Sequence, residues 1–214
     1  IRVFQGYGLT ETSPVISVNY DRTKDIASVG RPLKSVQAKI DEETGELLIK
    51  GPSVMKGYYN RPELTASVLS KDGWLHTGDI ADIDKYGHIH ITGRIKNMIV
   101  LSGGKKVFPE EVEAVLEQNS NFSEVCVFGA SHTTGAKEGS EEIVAVIVPA
   151  QTLLDEADND DTLDKIVRSE VKKSCMRLAP YKRPVNIFVS KEPLPKTTTR
   201  KIKRNEVKEA VCYL

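Results

Sequence analysis

Apolar positions change their rhythm once along this chain. Up to about Thr92 they come in short strand-like runs, Ala38 to Ile40, Glu46 to Lys50, Ile80 to Asp84 and His88 to Thr92, divided by glycine and proline. Asp41-Glu42-Glu43-Thr44-Gly45 and Asp84-Lys85-Tyr86-Gly87 fit reversals between strands, because Asp and Gly accept the backbone angles of a tight turn. Pro62 to Leu69 is predicted as a short helix with Pro62 at its start and Leu64, Val68 and Leu69 on one face.

Beyond Arg94 helices alternate with strands. Ile95 to Ser102 reads as a strand, and Pro109 to Asn119 as a helix with Glu110 and Glu111 in its first turn and Val112, Val115 and Leu116 inward. Val125 to Phe128 and Ile143 to Val148, rich in β-branched residues, are predicted as buried strands. The acidic stretch Asp155 to Asp161 reads as a solvated loop before a helix from Thr162 to Leu178. Val185 to Val189 follows as a strand, then Asn205 to Val211 as a helix capped by Asn205. The fold class is α+β: a β-rich part over residues 1–94, then a smaller α+β part over 95–214, with a seam near Arg94 to Lys96.

Composition narrows the function. Lysine plus arginine and aspartate plus glutamate both number 30, a formal net charge of zero, which argues against a protein built to coat nucleic acid. Cys126, Cys175 and Cys212 lie far apart without metal-ligand spacing, which suggests a reducing compartment and hence the cytoplasm. No apolar run approaches the roughly 20 residues that cross a bilayer, although contact with a membrane surface stays open. The opening run Ile1-Arg2-Val3-Phe4 reads as a piece of something longer.

Four segments can carry chemistry. Gln5 to Thr12 sets two glycines around Tyr7 and two hydroxyls around Glu11. Such a loop can bring backbone close to a ligand, lay an aromatic face on a purine, donate from Thr10 to a phosphate and offer Glu11 to magnesium. Taken alone it is equally a polar turn after a strand. Trp74 to Asp79 ends in Gly78-Asp79, where a carboxylate can accept two ribose hydroxyls or merely cap a turn. Arg94 could add a sugar contact or be an ordinary surface arginine. Ser102-Gly103-Gly104-Lys105-Lys106 lacks the earlier glycine and the following hydroxyl of a phosphate loop, but its glycines suit passage of a slender chain, or a plain hairpin turn. Pro195 to Arg204 is a basic, hydroxyl-rich loop, either a solvated charge run or a carrier of one ammonium to a carboxylate and an α-phosphate.

Other chemistries find little support. His88 and His90 lie two apart with no third ligand evident, and His76 and His132 show no partner. Nothing resembles a Ser, His, Asp set, and no cysteine has the surroundings of an activated nucleophile.

Together, Gln5 to Thr12, Gly45 to Asn60 with Gly51-Pro52 and Gly57-Tyr58-Tyr59, Trp74 to Ile80, Gly87 to Val112 and Pro195 to Arg204 resemble, in order, the motifs of the adenylate-forming superfamily. That group includes acyl-CoA synthetases, firefly luciferase and nonribosomal-peptide adenylation domains. The resemblance implies ATP, AMP, magnesium and coenzyme A as ligands, and a distorted barrel-like subdomain followed by a mobile small domain. It further implies that Gly6, Tyr7 and Gly8 bind the nucleotide, with Tyr7 stacked near adenine, and that Thr10 on the α-phosphate and Glu11 as the metal ligand belong to the catalytic set. Asp79 and Arg94 take the ribose, Lys96 is the hinge, Gly103 and Gly104 line the pantetheine tunnel, and Lys201 is the catalytic lysine.

One position departs from the motif. The glycine usual before the lysine is Arg200 here, expected to restrict the backbone to ordinary angles and to add bulk or a phosphate contact. The Ser, Thr and Gly-rich loop that holds the β- and γ-phosphates in the family is not in this sequence, so the chain is expected to be inactive alone. The arginine-bearing last motif resembles bacterial long-chain fatty acid CoA ligases and points to a medium- or long-chain fatty acid. The alternatives are a ligase that loads a carrier protein and, from another class, a polyanion-binding module.

Overall fold

The computed structural model describes residues 4–19, 25–131 and 140–212, with the side chain of Cys212 outside that description. The opening residues Ile1 to Val3 and the sequence's His132 also fall outside it. The chain forms two compact units, Ile1–Lys96 and Asn97–Leu214, and its class is the expected α+β.

Unit 1 is built from antiparallel strands. β1 (Gly6–Tyr7), β2 (Ser17–Val18) and β3 (Arg31–Pro32) form one sheet; β4 (Gln37–Ile40), β5 (Glu46–Lys50), β6 (Leu75–Ile83) and β7 (Ile89–Arg94) form another in that order. The two are laced where Val29 N donates to Ile89 O and Ile89 N to Gly30 O, both at 2.9 Å. Ile16, Val36, Leu47, Ile49, Ala81 and Ile89 form the core. The reversals at Asp41–Gly45 and Asp84–Gly87 are present, each ending on a left-handed glycine. Helix α1 (Pro62–Val68) begins at Pro62 as predicted, but none of its residues is buried and Leu64 is exposed, so no apolar face packs inward.

Unit 2 is a sheet covered on both sides. After β8 (Ile99–Val100), β9 (Lys106–Val107) and α2 (Pro109–Leu116), the long strands β10 (Phe122–Ser131) and β11 (Glu141–Pro149) pair antiparallel. Helices α3 (Gln151–Glu156) and α4 (Asp160–Ser174) lead to β12 (Asn186–Val189), parallel to β11, and then α5 (Arg204–Cys212). Side chains alternate across a strand. Val125, Val127, Ile143, Ala145 and Ile147 therefore meet Val112, Leu116, Leu163, Val167 and Val171 on one face. Cys126, Phe128, Val144, Val146 and Val148 meet Leu194 and Val207 on the other. Two covered faces explain the unbroken apolar runs of β10 and β11.

Several boundaries differ from expectation. Ile95 to Asn97 is a 3-10 turn, and only Ile99–Val100 beyond it is strand. Asp155 and Glu156 are helical rather than loop, with Leu153 burying that short helix, and the next helix starts at Asp160, capped by Asn159 accepting from Thr162 N. The last helix starts at Arg204, so Asn205 lies inside its first turn and is not the cap.

Candidate functional site

Strand pairing makes the first contact. Asp79 and Arg94 are register partners on β6 and β7, so their side chains leave the sheet side by side. Arg94 Nε meets Asp79 Oδ1 at 2.6 Å. From β1, Tyr7 donates its phenol to the other oxygen, Asp79 Oδ2, at 2.5 Å. Asp79 is 2% exposed, and a carboxylate so buried requires this compensation from both sides. Burial, followed by the hydrogen bond to Asp79 and its charge, pushes the Tyr7 phenol well above the ordinary tyrosine range, so it stays a donor at neutral pH.

The approach to Asp79 is held by a residue the motif reading passed over. Buried Glu46 on β5 accepts from Gly78 N at 2.7 Å through Oε1 and pairs with His76 Nδ1 at 2.8 Å through Oε2. His76 therefore has a partner, one that lies 30 residues away and carries no local signal. Thr77 donates to Leu47 O at 2.7 Å and accepts from Asp79 N at 3.1 Å, while Gly78 turns the backbone at φ +73°.

The Gln5 to Thr12 segment folds back on itself. A Cβ on Gly8 would lie 1.6 Å from Pro14 O, so only glycine fits there. Thr12 is buried and ties the 3-10 turn Thr10–Thr12 by bonding both Leu9 N and Leu9 O, which leaves Thr10 exposed. Glu11 Oε1 accepts from the Tyr58 phenol at 2.8 Å; that bond first, then burial, raises the phenol's pKa. Tyr58 was visible in Gly57-Tyr58-Tyr59, but nothing in the sequence paired it with Glu11. Glu11, Tyr58, Thr77, Gly78, Arg94 and Lys96 line a hollow of about 400 Å³ within unit 1. Asp79 and Tyr7 join it through the Arg94 contact, while Gly6 pairs with Val18 on β2.

The remaining expected residues lie in unit 2. Gly103 and Gly104, between β8 and β9, take φ +84° and +76° with open space around them, so the backbone angle rather than crowding calls for glycine. Lys201 lies on a hairpin whose limbs bridge at Lys196 and Ile202. Arg200 corrects the sequence reading: its φ is +63°, so the glycine-like conformation survives with an arginine in it. Within the basic run Lys196 pairs with Glu124, Lys203 with Glu206 and Arg204 with Glu113, while Arg200 and Lys201 are exposed.

The histidine pair finds extra neighbours. His90 Nε2 lies 3.5 Å from Asp25 and 3.9 Å from Asp84, while buried His88 directs Nδ1 to Asp84 at 3.1 Å. The third ligand not evident in the sequence is thus present: Asp25, Asp84 and His90 bring one ligand atom each within 4.8 Å of one another, all part-exposed. Cys126 and Cys175 are free and buried, and burial with the nearby Glu113 charge pushes the Cys126 thiol up to about 12. Burial raises the Cys175 thiol as well.

Residues 1–59 match the family model of the AMP-binding enzyme and residues 111–201 that of the AMP-binding enzyme C-terminal domain. The chain belongs to the adenylate-forming AMP-binding enzymes. Within this family it is similar to a long-chain-fatty-acid–CoA ligase from Salmonella typhimurium, 38% identical over 97% of this chain and 36% of the relative. It is also similar to a 2-succinylbenzoate–CoA ligase from Oceanobacillus iheyensis, 35% identical over 97% of this chain and 41% of the relative. A solved O-succinylbenzoate coenzyme A synthetase from Bacillus subtilis, in complex with ATP and magnesium ion, superposes with a TM-score of 0.75 at 31% identity, covering 96% of this chain and 41% of that one. The chain thus spans little more than a third of the length of such curated relatives.

Proposed function

We propose that this chain is the carboxyl-terminal part of an ATP-dependent acyl-CoA synthetase. A carboxylate attacks the α-phosphorus of ATP to give acyl-AMP and pyrophosphate, and the coenzyme A thiolate then takes the acyl group and releases AMP. The observation that carries this reading is the convergence of Tyr7, Asp79 and Arg94, from three separate segments, beside a hollow lined by Glu11.

In this reading Asp79 accepts from the ribose hydroxyls while keeping its bonds to Tyr7 and Arg94, and Arg94 adds a sugar contact. Both donors already hold the carboxylate in one orientation, so little ordering remains when the sugar arrives. Thr10, exposed on its turn, donates to the α-phosphate. Magnesium prefers oxygen ligands and is commonly held by one or two carboxylates together with substrate phosphates. Glu11 fits that need, since Tyr58 occupies Oε1 and Oε2 takes no hydrogen bond among the described residues. The ion, when bound, neutralises phosphate charge.

Lys201 supplies a compact positive charge at the α-phosphate and the attacking oxygen in the first step. Gly103 and Gly104 admit the pantetheine arm in the second, and Lys96 is the hinge between the two presentations. A fatty acid is the leading substrate, supported by the arginine-bearing last motif and the ligases it resembles; succinylbenzoate ligases among the relatives make the acid itself the open variable. The site of the reaction is the cytoplasm.

The test is made on the full-length enzyme. Lys201→Ala should nearly abolish acid-dependent exchange of pyrophosphate into ATP while sparing thioester formation from supplied acyl-AMP. Equal loss of both half reactions would contradict the assignment, and activity with a carrier protein but not with free coenzyme A would favour the carrier-loading alternative. The 214-residue chain alone should show no micromolar affinity for ATP and magnesium by calorimetry.

A further inference from the structure

The last motif contains a residue to which the function above gives no part. Arg204 ends the run Pro195 to Arg204 and opens α5, three residues after Lys201. Its guanidinium is aimed back into unit 2: Nε donates to Val127 O at 2.8 Å, and one terminal nitrogen donates to Glu113 Oε1 at 2.8 Å and Oε2 at 2.6 Å. The other terminal nitrogen reaches Glu110 Oε1 at 3.4 Å. That same oxygen accepts from Asn97 Nδ2 at 2.6 Å, so the cluster extends to the first residue of the unit. Glu110 and Glu113 lie three apart on α2, on one side of the helix.

This clasp completes the mounting of the Lys201 hairpin. On the incoming limb, Glu124 takes Lys196 Nζ at 2.5 Å and Leu194 N at 2.9 Å. The turn closes through Thr197 N to Lys201 O at 2.8 Å, Arg200 N to Thr197 O at 2.9 Å and Lys201 N to Thr197 Oγ1 at 3.1 Å. On the outgoing limb Lys203 N donates to Pro195 O at 2.8 Å, and Arg204 is the next side chain to grip the body. Among the described residues, the other contacts of the outgoing limb and α5 with the sheet are apolar, through Ile202, Val207 and Val211.

The choice of residues is informative. Burial pushes the Glu113 carboxyl up even though the Arg204 charge opposes it, so the pair sits where ionic groups are poorly solvated. Apolar side chains of similar size generally serve stability at least as well in such places. What a guanidinium adds is direction, because its planar fork fixes one carboxylate and one carbonyl at set angles, which a lysine cannot do.

We propose that Arg204, with Glu113 as its counterpart, is a positioning residue that sets where the Lys201 hairpin presents its ammonium. This rests on the reading that Lys201 acts in adenylate formation. Because Lys201 serves only that step, a fault in its placement lowers one half reaction and spares the other.

The experiment uses the full-length enzyme with Arg204→Lys, Arg204→Met and Glu113→Gln, and Lys201→Ala as the reference. Pyrophosphate exchange and thioester formation from supplied acyl-AMP are measured separately, beside the thermal midpoint. Exchange should fall about 10- to 100-fold in Arg204→Lys and Glu113→Gln, the range seen when supporting residues of a site are changed, with thioester formation within about twofold. Hydrogen exchange on the 214-residue chain carrying Arg204→Lys should rise over residues 196–203 and stay unchanged in β10 and β11. Unchanged pyrophosphate exchange, unchanged hydrogen exchange of the hairpin, or parallel loss of both half reactions in step with the thermal midpoint would each overturn the proposal. Should Arg204→Met fail to fold, Arg204→Lys and Glu113→Gln decide it. Full exchange activity in Lys201→Ala would instead remove the functional reading beneath it.

Discussion

Tyr7 and Asp79 stand 72 residues apart in the chain and share a hydrogen bond of 2.5 Å, with the carboxylate almost sealed from solvent. The phenol is thus part of what makes a buried charge tolerable at this point.

Tyr7→Phe is expected to lower the unfolding free energy by about 1.5–3 kcal/mol, the usual range for a hydrogen bond to a charged group. The alkaline limb is more telling. The folded phenol holds its proton above the unfolded value of about 10, so its contribution is complete below that pH and declines as pH rises beyond it. Urea unfolding between pH 8 and 11 should therefore show a shallower loss of stability in Tyr7→Phe than in the parent chain.

Asp84 contributes to the acid limb. Desolvation raises its pKa, but hydrogen bonds from His88 N, the His88 ring and Tyr86 N outweigh this and hold the carboxyl at about 2. Its folded pKa is depressed, so its contribution is present above the unfolded value of about 4 and lost as pH falls toward the folded one. Asp84→Asn should flatten the decline in urea midpoint between pH 5 and 2, and carbon-detected NMR of the parent should find the Asp84 carboxyl still ionised at pH 3.

Arg200 carries a left-handed backbone that costs a non-glycine residue about 1–2 kcal/mol. Arg200→Gly relieves this, less about 0.5–1 kcal/mol for the freer unfolded chain. The net expectation is a gain of about 0.5–1 kcal/mol, or about 1–4 °C in a chain of this length. Arg200→Ala keeps the strain and should not gain, so calorimetry of the two variants separates backbone relief from loss of the guanidinium.

What the sequence disclosed follows physical locality. Strand β5 was read to the residue because Gly45 closes the turn before it and Gly51-Pro52 stops it after. β10 and β11 were legible as buried because both faces are covered, which leaves no polar alternation in their centres. Asp79 and Arg94 stood out through separate motifs, each as a ribose contact; that they pair with one another comes from the antiparallel register. Elements decided by distant partners stayed hidden. Glu46 gives no hint that it will hold His76 and Gly78, and Tyr58 none that it will reach Glu11. Helix α1 looked amphipathic yet leaves Leu64 exposed, and Ile95 to Asn97 looked extended yet coils into a turn, since apolar spacing does not record whether a surface arrives to cover it. Arg200 misled in the opposite sense, because residue type favours ordinary angles and the hairpin's bonds override it.

Strand β11 touches both edges of this arrangement. It bridges Leu101, just before Gly103, through Glu141, and pairs along its length with β10, to which Glu124 and Arg204 fasten the Lys201 hairpin. The glycine turn and the lysine are thus two teeth cut on one gear. Their spacing is set by β11, so on the proposed function a turn of the unit would present one as it withdraws the other.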